Sequence, residues 1–122
     1  MSNGELVRRG FEAARRGDLD ALRELLHPDV RWHGGDPSAA GACANCEQAL
    51  GVMGEARARG PLPELVDVIE AGEKVVVVLR HASGEGEGAI RANLTTFRDG
   101  RVVEMVHFPR LADALAAARV PG

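Results

Sequence analysis

Two hydrophobic periods run along this chain, and the change from one to the other falls near its middle. The first half is helical in period. Leu6, Val7, Phe11 and Ala14 fall on one stripe, which predicts a helix from about Gly4 to Arg16. Ser2 and Glu5 have the spacing of a capping box, and Gly17, which takes positive φ without a Cβ clash, ends the helix. Asp18 caps a second short helix whose buried face is Leu19, Leu22, Leu25 and Leu26, and His27-Pro28-Asp29 breaks it. Val30 to His33 reads as a short strand, and Gly34 to Gly41, with no periodicity, as a loop. Asn45, with Gln48 at the reciprocal position, opens a third helix that carries Ala49, Leu50, Val52, Met53 and Ala56 and stops near Gly60-Pro61.

The second half is strand-like. Glu64 to Ala71, Lys74 to Ala82, Ala89 to Arg98 and Arg101 to Phe108 are rich in β-branched residues. Ala71-Gly72, the run Ser83-Gly84-Glu85-Gly86-Glu87-Gly88 and Asp99-Gly100 separate them. Asp-Gly is the strongest hairpin signal of the three, because both residues tolerate the positive φ of a tight primed turn. Glu85 and Glu87 then belong to a solvated hairpin tip. A short helix from Leu111 to Arg119 closes the chain. Helices first, then an antiparallel meander, means α+β and not a parallel βαβ fold. No repeat or linker divides residues 1–122, so one domain is expected.

Composition narrows the partners. At 122 residues the chain buries a core without metals or disulfides. A net charge of -3, with Lys74 the only lysine and the arginines scattered, argues against a nucleic-acid partner, whose phosphates need a basic stripe. No apolar run reaches the roughly 20 residues that cross a bilayer. Met1 to Arg16 has no apolar core of a secretory signal, so a cytoplasmic location is expected and no membrane partner. Asn93-Leu94-Thr95 matches a glycosylation acceptor, which without secretion has no consequence.

The local wording adds a resemblance. Gly17-Asp18-Leu19-Asp20-Ala21-Leu22 lies between the first two helices. Leu26-His27-Pro28-Asp29-Val30-Arg31-Trp32-His33 runs into the first strand, and Phe97-Arg98-Asp99-Gly100-Arg101-Val102-Val103-Glu104 spans the last hairpin. In this order and spacing, over nearly the whole chain, they resemble the NTF2-like (SnoaL-like) superfamily. The resemblance implies a cone: a curved antiparallel sheet packed on the N-terminal helices, a mouth that admits a small, largely apolar molecule, and a homodimer formed through the sheet. It does not imply one function, because the superfamily holds isomerases, cyclases, dehydratases, hydrolases and non-enzymatic binders.

Ketosteroid isomerase is the member whose chemistry is clearest, with an Asp base and two oxyanion donors, a Tyr and a protonated Asp. Its Tyr position falls on Gly10, its base on Gly34 and its acidic donor on Asn93. None of the three acid–base groups is kept, and the chain has no Tyr. A one-residue slip puts His33 at the base position, and a longer loop path brings Asp36 near. Asn93 still offers a hydrogen bond to an oxyanion, though not a proton.

Strand alternation selects the remaining candidates. One face of the third meander strand carries Arg91, Asn93, Thr95 and Phe97, the other Ile90, Ala92, Leu94 and Thr96. By the resemblance the first face looks into the cone, where Val103, Met105 and His107 of the last strand join it. His107 and His33 are the candidate acid–base residues, since an ordinary imidazole titrates near neutrality. Each also reads as a strand-end histidine bonded to backbone or water. Asn93, Arg91, Trp32, Met105, Thr95 and Asp36 are the candidate substrate contacts. Trp32 also reads as a core anchor, and Arg91 as a rim or dimer-interface residue. No cofactor is called for. Cys43-Ala44-Asn45-Cys46 is a single CxxC without a βαβ context, and two cysteines alone do not complete a zinc site. Three hypotheses remain: a cyclase- or isomerase-type enzyme using His107 or His33, a non-catalytic small-molecule binder or accessory homodimer, and a redox or metal module on Cys43 and Cys46.

Overall fold

The first helix begins where its cap predicts. Ser2 Oγ accepts the Glu5 backbone N–H at 3.2 Å, and α1 runs Asn3–Arg16 to Gly17, whose φ of 72° closes it. The computed structural model describes residues 2–60, 62–80 and 90–119. Asp18 accepts from Ala21 N–H and opens α2, Leu19–Leu25. The break comes one residue earlier than the leucine pattern suggests. Leu26 already belongs to β1, Leu26–His33, which begins without a loop, and Leu19 is 39 % exposed instead of buried. Asn45 Oδ1 accepts from Gln48 N–H at the start of α3, Cys46–Arg59, and Gln48 reaches back to the Ala44 N–H. Each such cap satisfies a donor that the helix cannot, and is worth about 1 kcal/mol.

The meander follows as β2, Glu64–Ala71; β3, Lys74–Arg80; β4, Ile90–Arg98; and β5, Arg101–Phe108. The run 83–88, with Ala82 and Ala89 beside it, lies outside the described residues. Asp99 (φ 52°) and Gly100 (φ 78°) make the expected primed turn between β4 and β5. Sheet order is β1-β5-β4-β3-β2. The four meander strands pair antiparallel, but β1 pairs with β5 in parallel, so the sheet is mixed and not antiparallel throughout. The reason is connectivity: no hairpin joins β1 to its partner, since α3, β2, β3 and β4 all lie between β1 and β5 in sequence, and that long connection lets the two run in the same direction.

Each face of this sheet is covered by a different set of helices. The inner face sends Val75, Val77, Leu79, Phe97, Val102 and Met105 against α1, α2 and α3. The outer face carries Val76, Val78, Ala92 and Leu94, and α4, Leu111–Ala117, lies across it with Ala114 fully buried. The chain's own last helix thus packs on this outer face.

A bulge corrects one inward assignment. The ladder pairs Thr96 with Glu104 but Phe97 with Val102, so register slips by one between them. Val102 is buried in the core and Val103 only partly covered. Alternation carried back from Met105 without the slip would have put Val103 inside.

Candidate functional site

Between the inner face and α1–α3 lies a cavity of about 380 Å³. Its wall is apolar: Phe11 and Ala14 from α1, Leu22 and Leu25 from α2, Met53 from α3, with Leu79, Phe97, Val102 and Met105 from the sheet. Gly10 is part of the same wall. A Cβ there would come within 2.8 Å of Leu25 Cδ2, so the bare glycine lets α1 and α2 approach closely where the isomerase would carry its tyrosine.

Among the described residues, only Asn93 and Thr95 bring amide or hydroxyl groups to this wall, with Trp32 adding an indole. The Thr95 hydroxyl donates to Asn93 Oδ1 at 2.9 Å. That bond satisfies the carbonyl half of the amide and fixes its rotation. Among the described residues no hydrogen bond engages the Asn93 amide nitrogen. Among the described residues, no Asp, Glu, His, Lys or Arg contributes to the wall. The described wall therefore carries no ionisable side chain, and Asn93 presents to it an amide donor whose orientation Thr95 sets.

A second cavity of about 290 Å³ lies beside it, lined by Trp32, His33, Gly34, the small residues 39–43, Val52 and His107. Its loop wall is tied to β1 by a reciprocal backbone pair, Trp32 N–H to Cys43 O at 2.9 Å and Cys43 N–H to Trp32 O at 2.8 Å. His107 stands directly opposite Asn93 in the β4–β5 ladder, on the same face.

His33 is held differently. It is paired with Val106, an outer-face residue, and its side chain is 5 % exposed. Its Nδ1 accepts the Gly35 N–H at 3.0 Å, which assigns the proton of the neutral ring to Nε2, and Nε2 lies 3.0 Å from Glu104 Oε2. Both ring nitrogens are thereby used, so the ring anchors the start of the 34–43 loop instead of facing the apolar chamber.

The remaining candidates separate. Trp32, Asn93, Thr95 and Met105 meet in the apolar cavity; for Asn93, Thr95 and Met105 this is the face that alternation and the resemblance together imply. Arg91 lies on the wall of neither cavity, and one of its bonds goes to the Ile90 carbonyl at 3.1 Å. Asp36 also lies on neither wall. It closes a local turn by accepting from the Ser38 hydroxyl and N–H, which hold its carboxyl below the usual carboxylate range. Leu79, Val102, Phe11 and Met53 also line the chamber; from sequence, Phe11 and Met53 read only as apolar helix positions, and none of the four as a contact. Val75, Val77 and Leu79 alternate along β3 and carried that signal, whereas Val102 required the bulge.

Cys43 and Cys46 are buried, unpaired thiols. Burial pushes both up from the ordinary thiol value, and Glu47 adds to this at Cys46. Raised thiols are poor nucleophiles at neutral pH, the opposite of what a redox motif needs. No three His, Cys, Asp or Glu side chains cluster as a metal site among the described residues. No helix among them is long and apolar enough to cross a membrane.

The cone, its mixed sheet and its internal chamber define an NTF2-like α+β protein. Residues 7–105 match the SnoaL-like domain, and the chain belongs to that family. Among solved structures it is similar to an NTF2-like protein of unknown function from Burkholderia pseudomallei, at 24 % identity over 95 % of this chain and 97 % of the other, TM-score 0.67. Bal32a, from a soil-derived mobile gene cassette, is 26 % identical over 90 % and 91 % of the two chains, TM-score 0.72. A proposed polyketide cyclase from Sinorhizobium meliloti is 22 % identical over 84 % and 93 %, TM-score 0.69. No curated protein matches the sequence.

Proposed function

We propose that this protein binds a small, uncharged, largely apolar molecule in the 380 Å³ chamber, and that Asn93 holds that molecule's one oxygen function. The observation that carries this is the contrast among the described wall residues: mostly apolar side chains, and an amide whose rotation Thr95 fixes. A charged ligand would be desolvated there without a counterion, at a cost of several kcal/mol. An apolar ligand with one hydroxyl or carbonyl loses little water and gains a bond of about 1 kcal/mol. Binding without chemistry is the reading favoured, because the described part of the wall consists of apolar side chains with Asn93, Thr95 and Trp32 as its polar contacts.

A second reading keeps acid–base chemistry of the cyclase or isomerase type, with His107 as the acid–base residue. It is favoured by one observation, the position of His107 directly across the ladder from Asn93. His33 is not part of this reading, since both its ring nitrogens are engaged. Self-association through the sheet is a separate proposal. It would use the strip of outer face that α4 leaves open, and native mass spectrometry at micromolar concentration reads it directly.

Calorimetric titration with naphthalene and 2-naphthol tests the binding reading. The wild-type protein is expected to prefer 2-naphthol by about fivefold to tenfold, the size of one neutral hydrogen bond. Asn93→Leu should erase that preference while leaving naphthalene bound. Equal affinity for the two probes in the wild-type protein would sink the role given to Asn93.

A further inference from the structure

The two cavities share two wall residues, Trp32 and Val52. They are therefore neighbours divided by a partition and not separate features of the fold. On one side the described wall is mainly apolar; on the other it is His107, His33, whose two ring nitrogens are already engaged, and small loop residues. The boundary runs between Asn93 and His107, which face each other across adjacent strands. Directly opposite positions on one face of an antiparallel pair stand about 4.5–5.5 Å apart at Cβ. One ligand could therefore touch both residues.

The partition has one fixed side and one open side. Trp32 is held by its backbone pair with Cys43 and lies opposite Met105 in the β1–β5 register. Val52 is on α3 and is 40 % exposed, so its side chain is free to be changed without opening the core. Beyond it, Ala39, Ala40 and Gly41 are exposed, and a Cβ at Gly34 or Gly41 would meet nothing within 4 Å. The second cavity is thus a wet vestibule built from residues too small to fill it.

We propose that the vestibule receives the polar end of the same ligand. The ligand class is an elongated amphipathic molecule: an apolar body in the chamber, one oxygen on Asn93, and a terminal hydroxyl or carboxyl that passes Trp32 and Val52 to reach His107. This rests on the binding reading above and extends it by a second anchoring point. His107 acts here as a binding contact, and Trp32 with Val52 sets how wide a tail can pass.

The test uses three probes that share one body: 2-naphthol, 6-propyl-2-naphthol and 6-(3-hydroxypropyl)-2-naphthol. The hydroxypropyl probe should lose about tenfold in affinity on His107→Leu, while the propyl probe and 2-naphthol change less than twofold. Val52→Trp, at an exposed position, should weaken both tailed probes at least tenfold and spare 2-naphthol. If His107→Leu changes the two tailed probes equally, or Val52→Trp leaves them unaffected, the vestibule is not part of the site, and 2-naphthol binding would still stand. If no probe binds the wild-type protein, the inference falls together with the reading it rests on.

Discussion

The apolar chamber and the vestibule lie side by side, yet they are built from opposite materials. The chamber is made by regular elements, so the side chains that line it are also the core. Phe97 is 2 % exposed, Leu22 4 % and Val102 3 %. The vestibule is made by a loop whose residues 39–41 are exposed and small. The fold cannot lose the first wall without losing stability, whereas the second is free to vary. This is how a scaffold keeps a general apolar site and adjusts what its mouth accepts.

Substitutions should separate the two regions by their effect on unfolding in urea. Phe97→Ala removes a fully buried ring from the chamber wall and is expected to cost about 3–5 kcal/mol. Glu104→Ala takes away the partner of His33 Nε2 and loosens the start of the vestibule loop; about 1 kcal/mol is expected, because Glu104 is itself 40 % exposed. Asp36→Ala, at an exposed residue that lines neither cavity, should change stability by less than about 0.5 kcal/mol and 2-naphthol affinity not at all. A stability loss at Asp36 as large as that at Phe97 would break the division.

The cysteines give the same contrast a pH dependence. Burial raises both thiols in the folded chain, so the unfolded chain loses those protons first. Their contribution to stability is then fully present below the ordinary thiol value of 9.0 and is lost as pH rises above it. Iodoacetamide should modify native protein slowly at pH 7 and faster as pH climbs, with urea removing the protection at once. Rapid labelling of native protein at pH 7 would restore the redox hypothesis.

Much of the fold was legible because its signals are local. Helix caps at Ser2, Asp18 and Asn45 and the Asp99-Gly100 turn each depend on a few adjacent residues. The alternation of β4 placed Asn93, Thr95 and Phe97 on the chamber side. What the sequence did not reveal depends on pairing between distant segments. The slip between Thr96 and Phe97 exchanges Val103 for Val102. The parallel pairing of β1 with β5 sets His33 beside Glu104, a partner 71 positions away, and turns its ring from the chamber. The placement of α4 on the outer face is likewise invisible in its own seven residues, Leu111–Ala117. Arg91 was a candidate for its charge on the inward face and Asp36 for its carboxyl near the base position; Arg91 lines neither cavity, and Ser38 engages the Asp36 carboxylate in a local turn.

The central claim is that the Asn93 amide is the chamber's hydrogen-bonding contact. Side-chain amide NMR of ¹⁵N-labelled protein during a 2-naphthol titration tests it most directly. The account predicts that the Asn93 side-chain amide signals, assigned by their absence in Asn93→Leu, shift progressively and saturate, while the backbone amides of Gly34 and Gly41 stay in place. Saturable shifts confined to the 34–43 loop, with Asn93 unmoved, would contradict it.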